Sequence, residues 1–352
     1  MTALPLRAMP MRDGRALLVN DAGGFFAAEP AFVDRLNRDA LDYADRSRLR
    51  CRGHLIEDDD ALGAAAHARG VGARLSRAGT LDYLILVPTL RCNLACSYCQ
   101  VSRVAEGVRG FDWSNETLAA VLAVIDRMRA TRVKIEFQGG EPTLRPDLIR
   151  AVIDRCARFA QCEFVICTNL QQLDDEILAI LDRPDVFVST SLDGDALTHG
   201  RNRTGSEDRT AAFLDNLRLV TSRYGPSKVS ALPTVDAAAP PAIDDLIDAY
   251  IEHGFDSVFL RPINYQGFAR KRHADSREQD DGWRSYHESF VRRLIDRNWE
   301  DRSRVLEETY FSVCLRRVFR PGQERHVDLR NPNPMGHDYI VVDHDGTVYP
   351  TD

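Results

Sequence analysis

Short apolar runs separated by amphipathic stretches constrain the fold of this chain more than any other feature of its sequence. Six apolar runs predict β-strands, at residues 83–87, 133–137, 164–167, 186–191, 229–235 and 257–260. Amphipathic patterns predict the helices between and after them, at residues 117–129, 147–159, 175–181, 209–222, 243–253 and 283–298. Six such units in succession predict a parallel sheet with right-handed crossovers. The pattern favours a partial (β/α)6 TIM-like barrel of the α/β class, with an open doubly wound sheet as the alternative.

Two smaller regions flank these units. Residues 1–78 contain strand patterns at 16–19 and 25–26 around an Asp-Ala-Gly-Gly turn, followed by helical patterns at 32–41 and 60–69. They predict a small N-terminal α+β domain, with the barrel at residues 79–300. Residues 301–352 contain one helical pattern and then a hairpin, with strands at 339–343 and 347–349 joined by Asp345-Gly346. Because the chain ends three residues after Tyr349, we expect this C-terminal extension to be incomplete.

The composition argues against several classes of protein. The chain has 352 residues, of which 44% are hydrophobic and 28% are charged, and its net charge is −7. This acidic balance disfavours a face that neutralises nucleic-acid phosphates, and we interpret the basic run 270–272 as a solvated loop. No apolar run approaches the ~20 residues of a membrane helix, and the first residues carry no signal-peptide core. The sequence therefore predicts a cytoplasmic protein with no nucleic-acid or membrane partner.

Three of the eight cysteines form a tight cluster. A chain of this length without export features is not expected to depend on disulfides. Cys92, Cys96 and Cys99 lie in one CxxxCxxC loop directly after the first predicted strand. We interpret Cys156, in a helical pattern, and Cys167, in a strand pattern, as buried free thiols.

The cysteine loop follows a predicted barrel strand, which is where barrel enzymes place their chemistry. A cubane iron–sulfur cluster usually takes four cysteine thiolates, so three leave one iron open to an amine and a carboxylate. A zinc site is one alternative, but zinc needs four ligands and the nearest spare candidate, His199, is distant in sequence. Three incidental cysteines are the other alternative.

The cysteine motif, with Tyr98 before its third cysteine, resembles that of the radical S-adenosylmethionine (SAM) superfamily. A second stretch, Gly139-Gly140-Glu141-Pro142, ends the second predicted strand and matches that family's glycine-rich segment. The resemblance implies that Cys92, Cys96 and Cys99 bind a [4Fe–4S] cluster, with Tyr98 at the cofactor and residues 139–142 at the amino end of SAM. Glycines allow a close backbone approach, and the Glu141 carboxylate suits a cationic amine.

Further polar residues lie at the ends of later predicted strands. The resemblance implies that Thr168 and Asn169 lie near the SAM ribose and carboxylate, and that Ser191 and Asp193 face SAM or the substrate. Arg203, in the next loop, and Arg261, after the sixth strand, are further cofactor-binding candidates. Each of these residues has a strand-end cap or a surface ion pair as its alternative interpretation.

The resemblance also implies a reaction. An electron from a reduced flavodoxin or ferredoxin would pass to the cluster, and SAM would break into methionine and a 5′-deoxyadenosyl radical that takes hydrogen from the substrate. Residues 88–92, 99–103 and 345–352 resemble the peptide-maturase (SPASM-like) branch, and most of all the His-Xaa-Ser system radical SAM maturase. This branch implies a precursor peptide as the substrate and a second maturase as a partner.

Three questions stay open at the level of the sequence. The chain could carry out another radical SAM reaction, such as sulfatase-type maturation or small-molecule chemistry, or it could be a non-catalytic iron–sulfur protein. The N-terminal region could recognise a leader peptide by strand addition or could cap the barrel. Only Cys314 lies beyond Cys167, so auxiliary clusters are either absent or held by a longer chain.

Overall fold

The structure, a computed structural model, describes residues 2–75, 80–272, 280–319 and 335–351. These residues divide into two compact units, of which one ends at residue 75 and the other begins at residue 80. Each unit has a hydrophobic core of its own.

The N-terminal unit is an antiparallel sheet covered by helices. Its elements are β1 (Thr2–Ala3), β2 (Leu6–Pro10), β3 (Ala16–Asn20), β4 (Phe25–Ala28), α1 (Pro30–Asn37), α2 (Tyr43–Cys51), β5 (Leu55–Ile56) and α3 (Ala61–Leu75). Strands β2, β3 and β4 form a meander, and β1 pairs with β5. The core contains Leu18, Phe26 and Phe32. Strand β2 was not predicted because most of its residues are exposed, which leaves no alternation of apolar side chains.

The second unit contains the barrel. Its elements are β6 (Tyr83–Thr89), β7 (Arg91–Cys92), β8 (Val104–Ala105), α4 (Asn115–Arg127), β9 (Arg132–Gly139), α5 (Pro146–Cys156), β10 (Gln161–Cys167), α6 (Asp175–Leu181), β11 (Val186–Ser191), α7 (Ala196–His199), α8 (Glu207–Tyr224), β12 (Val229–Leu232), β13 (Thr234–Val235), α9 (Ile243–Glu252), β14 (Ser257–Val258), β15 (Arg261–Pro262), α10 (Ala269–Arg272), α11 (Asp280–Glu300), β16 (Glu307–Glu308), α12 (Thr309–Phe319), β17 (Tyr339–Val342) and β18 (Val348–Tyr349). A 3₁₀ turn spans Pro142–Leu144, and a π-helix spans Gly200–Thr204.

The main sheet confirms the predicted α/β fold with a parallel sheet. Its strands run in the order β12-β11-β10-β9-β6, and every neighbouring pair among them is parallel. One face packs under the crossover helices through fully buried side chains such as Ile135, Phe164 and Val188. The opposite face is turned to the interior of the partial barrel. The carboxyl ends of these strands therefore meet at one edge, where the cysteine loop lies.

Side-chain caps explain where the crossover helices begin. The Ser114 hydroxyl accepts the Thr117 N–H at 3.1 Å before α4, and the Asp174 carboxylate accepts the Ile177 N–H at 2.9 Å before α6. Such caps satisfy N–H groups that have no partner in the first turn. Helix α6 was predicted with the observed bounds, and the others within three residues of them.

The last two predicted strands differ from the structure. The predicted strand 229–235 is broken into β12 and β13, because Pro233 between them has no N–H for a ladder. Strand β13 then pairs with β15, and β14 pairs with β16, in separate two-stranded ladders. The basic run 270–272 lies in the short helix α10, so its interpretation as a loop was wrong.

The predicted hairpin near the end of the chain is confirmed. Strands β17 and β18 pair in antiparallel fashion, and β17 also extends the main sheet in parallel beside β6, which was not predicted. The Trp113 indole N–H donates to the Asp343 carbonyl at 2.9 Å, which ties the hairpin turn to the segment before α4. No helix among the described residues is long and apolar enough to cross a membrane.

His199 is enclosed at the end of α7. Its exposed fraction is 1%, its ring stacks on Phe213 with centroids 4.0 Å apart, and neither ring nitrogen has a hydrogen-bond partner. Burial lowers the pKa of His199 from 6.5 to about 2, and the positive charge of Arg203 adds to this effect. The folded protein therefore holds His199 neutral.

We predict that this residue makes folding sensitive to acid. The unfolded chain binds a proton near pH 6.5 and the folded chain does not, so the free energy of unfolding falls as the pH drops below 6.5. His199→Phe should remove this dependence. When the pH falls from 7.5 to 5.5, the wild type should lose about 1 kcal/mol more unfolding free energy than the variant does. Urea unfolding at both pH values measures it. The exposed His337→Phe is the control, and equal pH slopes for wild type and His199→Phe would refute the prediction.

Candidate functional site

The cysteine loop is held by segments from two other strand ends. Cys92 is buried in β7, whereas Cys96 and Cys99 are half-buried. The Asn202 carbonyl, in the π-helix, accepts the Ser97 N–H at 2.8 Å, and the Ala269 N–H donates to the Cys99 carbonyl at 2.9 Å. The loop is therefore fixed in position by contacts across the carboxyl edge of the barrel.

Burial makes two of the three thiols weak acids. It raises the pKa of Cys92 to about 12, although the thiol accepts the Leu94 N–H at 3.4 Å. It also raises the pKa of Cys99. Negative charge on Glu141, Cys96 or Cys99 would raise the pKa of Cys92 further. A bound cation reverses this balance, because it stabilises the thiolates and releases their protons.

The ligand set of the loop distinguishes a cluster from a zinc ion. The loop supplies three thiols, whereas a structural zinc site takes four ligands. A cubane cluster bound by three thiolates keeps one iron free for another ligand. The loop thus fits an iron–sulfur cluster better than it fits zinc, which argues against the zinc alternative.

The glycine-rich segment lies directly against the cysteine loop. The Gly140 N–H donates to the Thr89 carbonyl at 3.0 Å, and the Glu141 N–H donates to the Arg91 carbonyl at 2.8 Å. A methyl group on Gly140 would lie 2.2 Å from the Arg91 carbonyl oxygen, and Gly139 has a φ of +122°. Only glycine fits both positions. The sequence assigned these glycines to a close approach to a ligand, and the structure shows that they approach the cysteine loop itself.

Glu141 is buried at the centre of this junction. Its carboxylate accepts the Asn169 N–H at 2.7 Å and the Thr143 hydroxyl at 2.7 Å. Burial raises the pKa of Glu141, and these hydrogen bonds oppose that rise. Pro142, which starts the 3₁₀ turn, is buried as well. An uncompensated carboxylate in this position favours a cationic partner.

Asn169 links the third barrel strand to the cysteine loop. Its side-chain amide donates to the side-chain oxygen of Asn93 at 2.7 Å, and the same amide nitrogen lies 3.8 Å from the Cys92 sulfur. Thr168 is buried beside it, and its hydroxyl accepts the Leu170 N–H at 3.1 Å. The structure thus brings Thr168 and Asn169 to Glu141, and Asn169 to Cys92.

A second buried group supports the loop from the fourth strand. The Tyr98 hydroxyl donates to the Asp193 carboxylate at 2.6 Å, and the Arg203 guanidinium donates to the Tyr98 oxygen at 2.9 Å. Burial raises the pKa of Asp193, and the charge of Arg203 opposes that rise. Arg203 lies in the π-helix, a type of turn that is frequent at functional sites. These three residues fix the side of the loop that carries Cys96 and Cys99.

The other two candidates lie farther from these contacts. Ser191 is half-buried at the last position of β11, two residues before Asp193. Arg261 begins β15, and its guanidinium packs over the Phe259 ring at 4.9 Å from the centroid. The structure places both at strand ends.

Sequence reasoning missed several residues that hold the loop. Asp112 accepts the Thr89 hydroxyl at 2.6 Å and the Arg91 guanidinium at 2.8 Å. Gly267 approaches the Gln100 carbonyl so closely that an added methyl group would lie 2.3 Å away. Of these residues, Gly267 was the one that the sequence could have indicated, because a glycine can mark a close backbone approach. The other contacts join distant segments and leave no local pattern.

A cavity of about 190 Å³ adjoins the loop at the ends of β13 and β15. Ile263 in its wall also packs against Tyr98, next to Cys96. The lining residues are Val235, Ala237, Pro262, Ile263, Asn264, Tyr265 and Trp283. The loop therefore has a largely apolar space on its Tyr98 side.

Comparison with known sequences identifies the domain that carries this site. Residues 86–236 match the radical SAM superfamily, whose members use a [4Fe–4S] cluster and SAM. An uncharacterized protein of Methanocaldococcus jannaschii is 30% identical over 117 residues, which are 32% of this chain and 39% of that protein. One of Methanothermobacter thermautotrophicus is 24% identical over 180 residues, 49% of this chain and 65% of that protein. The chain therefore spans less than two thirds of either relative.

Solved structures share the fold at low identity. The anSMEcpe structure with bound AdoMet has a TM-score of 0.60 and 20% identity, and the match covers 76% of this chain and 71% of that chain. Streptococcus suis SuiB, bound to its precursor peptide SuiA, has a TM-score of 0.51 and 13% identity, with 99% and 83% covered. These likenesses confirm the predicted partial TIM-like barrel.

We predict that Gly140→Ala damages cluster assembly. The new methyl group would collide with the Arg91 carbonyl and displace the cysteine loop, at a cost of about 1–3 kcal/mol in unfolding free energy. Iron and sulfide content after anaerobic reconstitution, with a thermal melt, measures both effects. Gly107→Ala is the matched control, because nothing lies within 4 Å of its added methyl group. Full iron content and unchanged stability in Gly140→Ala would contradict the prediction.

Proposed function

We propose that this chain, whose residues 86–236 form a radical SAM domain, cleaves SAM reductively to modify a ribosomally made precursor peptide. The arrangement of Cys92, Cys96 and Cys99 carries the proposal: one loop presents three free thiols, of which Cys92 is buried and the other two are half-buried. The loop lies at the carboxyl edge of a parallel barrel, against the Gly139–Pro142 segment. Three cysteines also supply one ligand fewer than a cubane cluster takes.

Different residues of the chain would bind the cluster and SAM. The three thiolates would bind the [4Fe–4S] cluster, which supplies the electron that splits SAM into methionine and a 5′-deoxyadenosyl radical. Glu141 would attract the amino group of SAM, because the hydrogen-bond donors that the described residues offer its buried carboxylate are neutral. The remaining candidates, proposed to surround SAM, are Tyr98, Thr168, Asn169, Ser191, Asp193, Arg203 and Arg261.

A peptide substrate is supported by the fold of both units. SuiB, which resembles this chain over 99% of its length, is known with a bound precursor peptide, and anSMEcpe is known with a bound Cp18Cys peptide. Strand β2 lies at one edge of the meander in the N-terminal unit, and most of its side chains are exposed. An edge strand of this kind offers main-chain groups to an added strand. We propose residues 1–78 as the precursor-binding domain and 301–352 as part of a C-terminal extension.

The resemblance of residues 88–92, 99–103 and 345–352 supports a finer assignment, the His-Xaa-Ser system radical SAM maturase. A flavodoxin or ferredoxin would supply the electron, and a second maturase would act on the same peptide. A reducing compartment suits the exposed and half-buried free cysteines of the chain, so we propose a cytoplasmic location.

We predict that Cys92→Ala, Cys96→Ala and Cys99→Ala each abolish SAM cleavage. Loss of one sulfur should lower 5′-deoxyadenosine formation by more than about 100-fold. A loss of about 100-fold is the most that is expected when only a supporting contact around a metal site is removed. Chromatography of the products after anaerobic incubation with dithionite and SAM measures this. Cys314→Ala, in α12, should keep wild-type turnover. Turnover in any of the three loop variants would contradict the proposed cluster.

We predict that the N-terminal unit binds the precursor and is not needed for SAM cleavage. Removal of the residues before Leu81 should weaken binding of a synthetic peptide encoded by the neighbouring gene by about tenfold or more, because strand addition supplies several main-chain hydrogen bonds. Fluorescence anisotropy of the labelled peptide measures affinity. SAM cleavage without peptide should persist, since the barrel has its own core. Unchanged peptide affinity would exclude a recognition role.

A further inference from the structure

A polar layer lies on the inner face of the barrel sheet, below the cysteine loop. Along β9, Ile135 and Phe137 are buried under the helices, so Glu136 between them faces the interior. Tyr83 of β6 and Cys167 of β10 lie on the same face, because both contact the Glu136 side chain. None of these residues belongs to the cofactor site described above.

Three neutral groups surround the Glu136 carboxylate. The Tyr83 hydroxyl donates to Oε2 at 2.5 Å, the Gln138 amide donates to Oε1 at 2.5 Å, and the Cys167 thiol donates to Oε1 at 3.4 Å. Burial raises the pKa of Cys167 well above its ordinary value, and the Glu136 charge raises it further. The thiol therefore stays protonated, and the donors hold the carboxylate in one orientation.

The carboxylate has no cationic partner within the described part of the chain. Lys134, two residues earlier on the same strand, lies 3.3 Å from Glu163 instead. No ion pair of Glu136 occurs among the described residues, although the Lys134 ammonium lies 5.2 Å from the centroid of the Tyr83 ring. Neutral donors orient a carboxylate but do not cancel its charge, so the interior of the barrel has a negative potential here.

The layer lies close to the proposed cofactor. Glu136 precedes Gly139 by three residues, which is about 10 Å along a strand, and Cys167 directly precedes Thr168 and Asn169. Glu136 is half-buried, so its side chain is partly accessible on this inner face.

We infer that Glu136 recognises a positively charged group of the substrate, an ammonium, guanidinium or imidazolium, inside the barrel. The assignment to the substrate rests on the proposed function, whereas the preference for a cation rests on the carboxylate alone. The sulfonium of SAM is the other cation that could reach this layer. Tyr83, Gln138 and Cys167 act as positioning residues, because they hold the carboxylate toward the interior.

Cys167 provides a reporter for this potential. The full-length protein is treated under anaerobic conditions with 2-aminoethyl, methyl and 2-sulfonatoethyl methanethiosulfonate, which are cationic, neutral and anionic thiol reagents. Mass spectrometry of the peptide that contains Cys167 gives each labelling rate. We expect the cationic reagent to outpace the anionic one by roughly tenfold or more in the wild type, because the nearby carboxylate attracts one and repels the other.

Glu136→Gln should lower the cation-to-anion ratio at least about fivefold, since it removes the charge and keeps the shape. The ratio is insensitive to the altered pKa of Cys167, because both reagents attack the same thiolate. Asp245→Asn is the control, because it removes an exposed carboxylate from helix α9 and leaves Glu136 and Lys134 in place. A wild-type ratio near one overturns the inference even if the variant fails to fold, and so does an unchanged ratio in Glu136→Gln.

The source of the cation is tested separately. Equilibrium dialysis of radiolabelled SAM with the reconstituted protein should give Glu136→Gln an affinity within about twofold of the wild type, as expected when no charge contact is lost. A loss of about tenfold would assign the carboxylate to the SAM sulfonium and overturn the substrate assignment. Because neither measurement requires turnover, failure here is distinguishable from failure of the proposed reaction.

Discussion

The contact between the glycine-rich segment and the cysteine loop is the constraint on which the rest of the site depends. Two main-chain hydrogen bonds join Gly140 and Glu141 to the carbonyls of Thr89 and Arg91. They require an approach that a side chain on residue 140 would block. This junction places the buried carboxylate of Glu141 beside the loop that contains Cys92, so the proposed ligands of SAM and of the cluster lie together.

Electrostatics explains why the buried cysteines and Glu141 favour cationic ligands. Burial raises the pKa values of Cys92, Cys99 and Glu141, so the protein environment destabilises the ionised form of each side chain. Iron cations and a cationic amine would offset that cost. On the opposite side of the loop, Arg203 already compensates Asp193. One end of the site therefore favours cations, whereas at the other end the charges of Arg203 and Asp193 compensate each other.

Much of the fold follows from local patterns, whereas much of the site does not. Strands β6, β9, β10, β11 and β12 of the main sheet were predicted because each is an apolar run followed by an amphipathic helix. Strands β15 and β16 were not, because each has two residues and forms only through its pairing. CxxxCxxC and Gly-Gly-Glu-Pro are local motifs and were found. Contacts such as Asn169 with Asn93 join segments that are 76 residues apart, and no local pattern encodes them.

The central claim is that three cysteines leave one iron of the cluster open to the amine and carboxylate of SAM. Electron paramagnetic resonance of the reduced, reconstituted protein tests it directly when the SAM amino group carries nitrogen-15. The account predicts that SAM changes the cluster signal and that double-resonance spectra show coupling between the cluster spin and the labelled nitrogen. A signal that saturating SAM leaves unchanged, without nitrogen-15 coupling, would contradict the account.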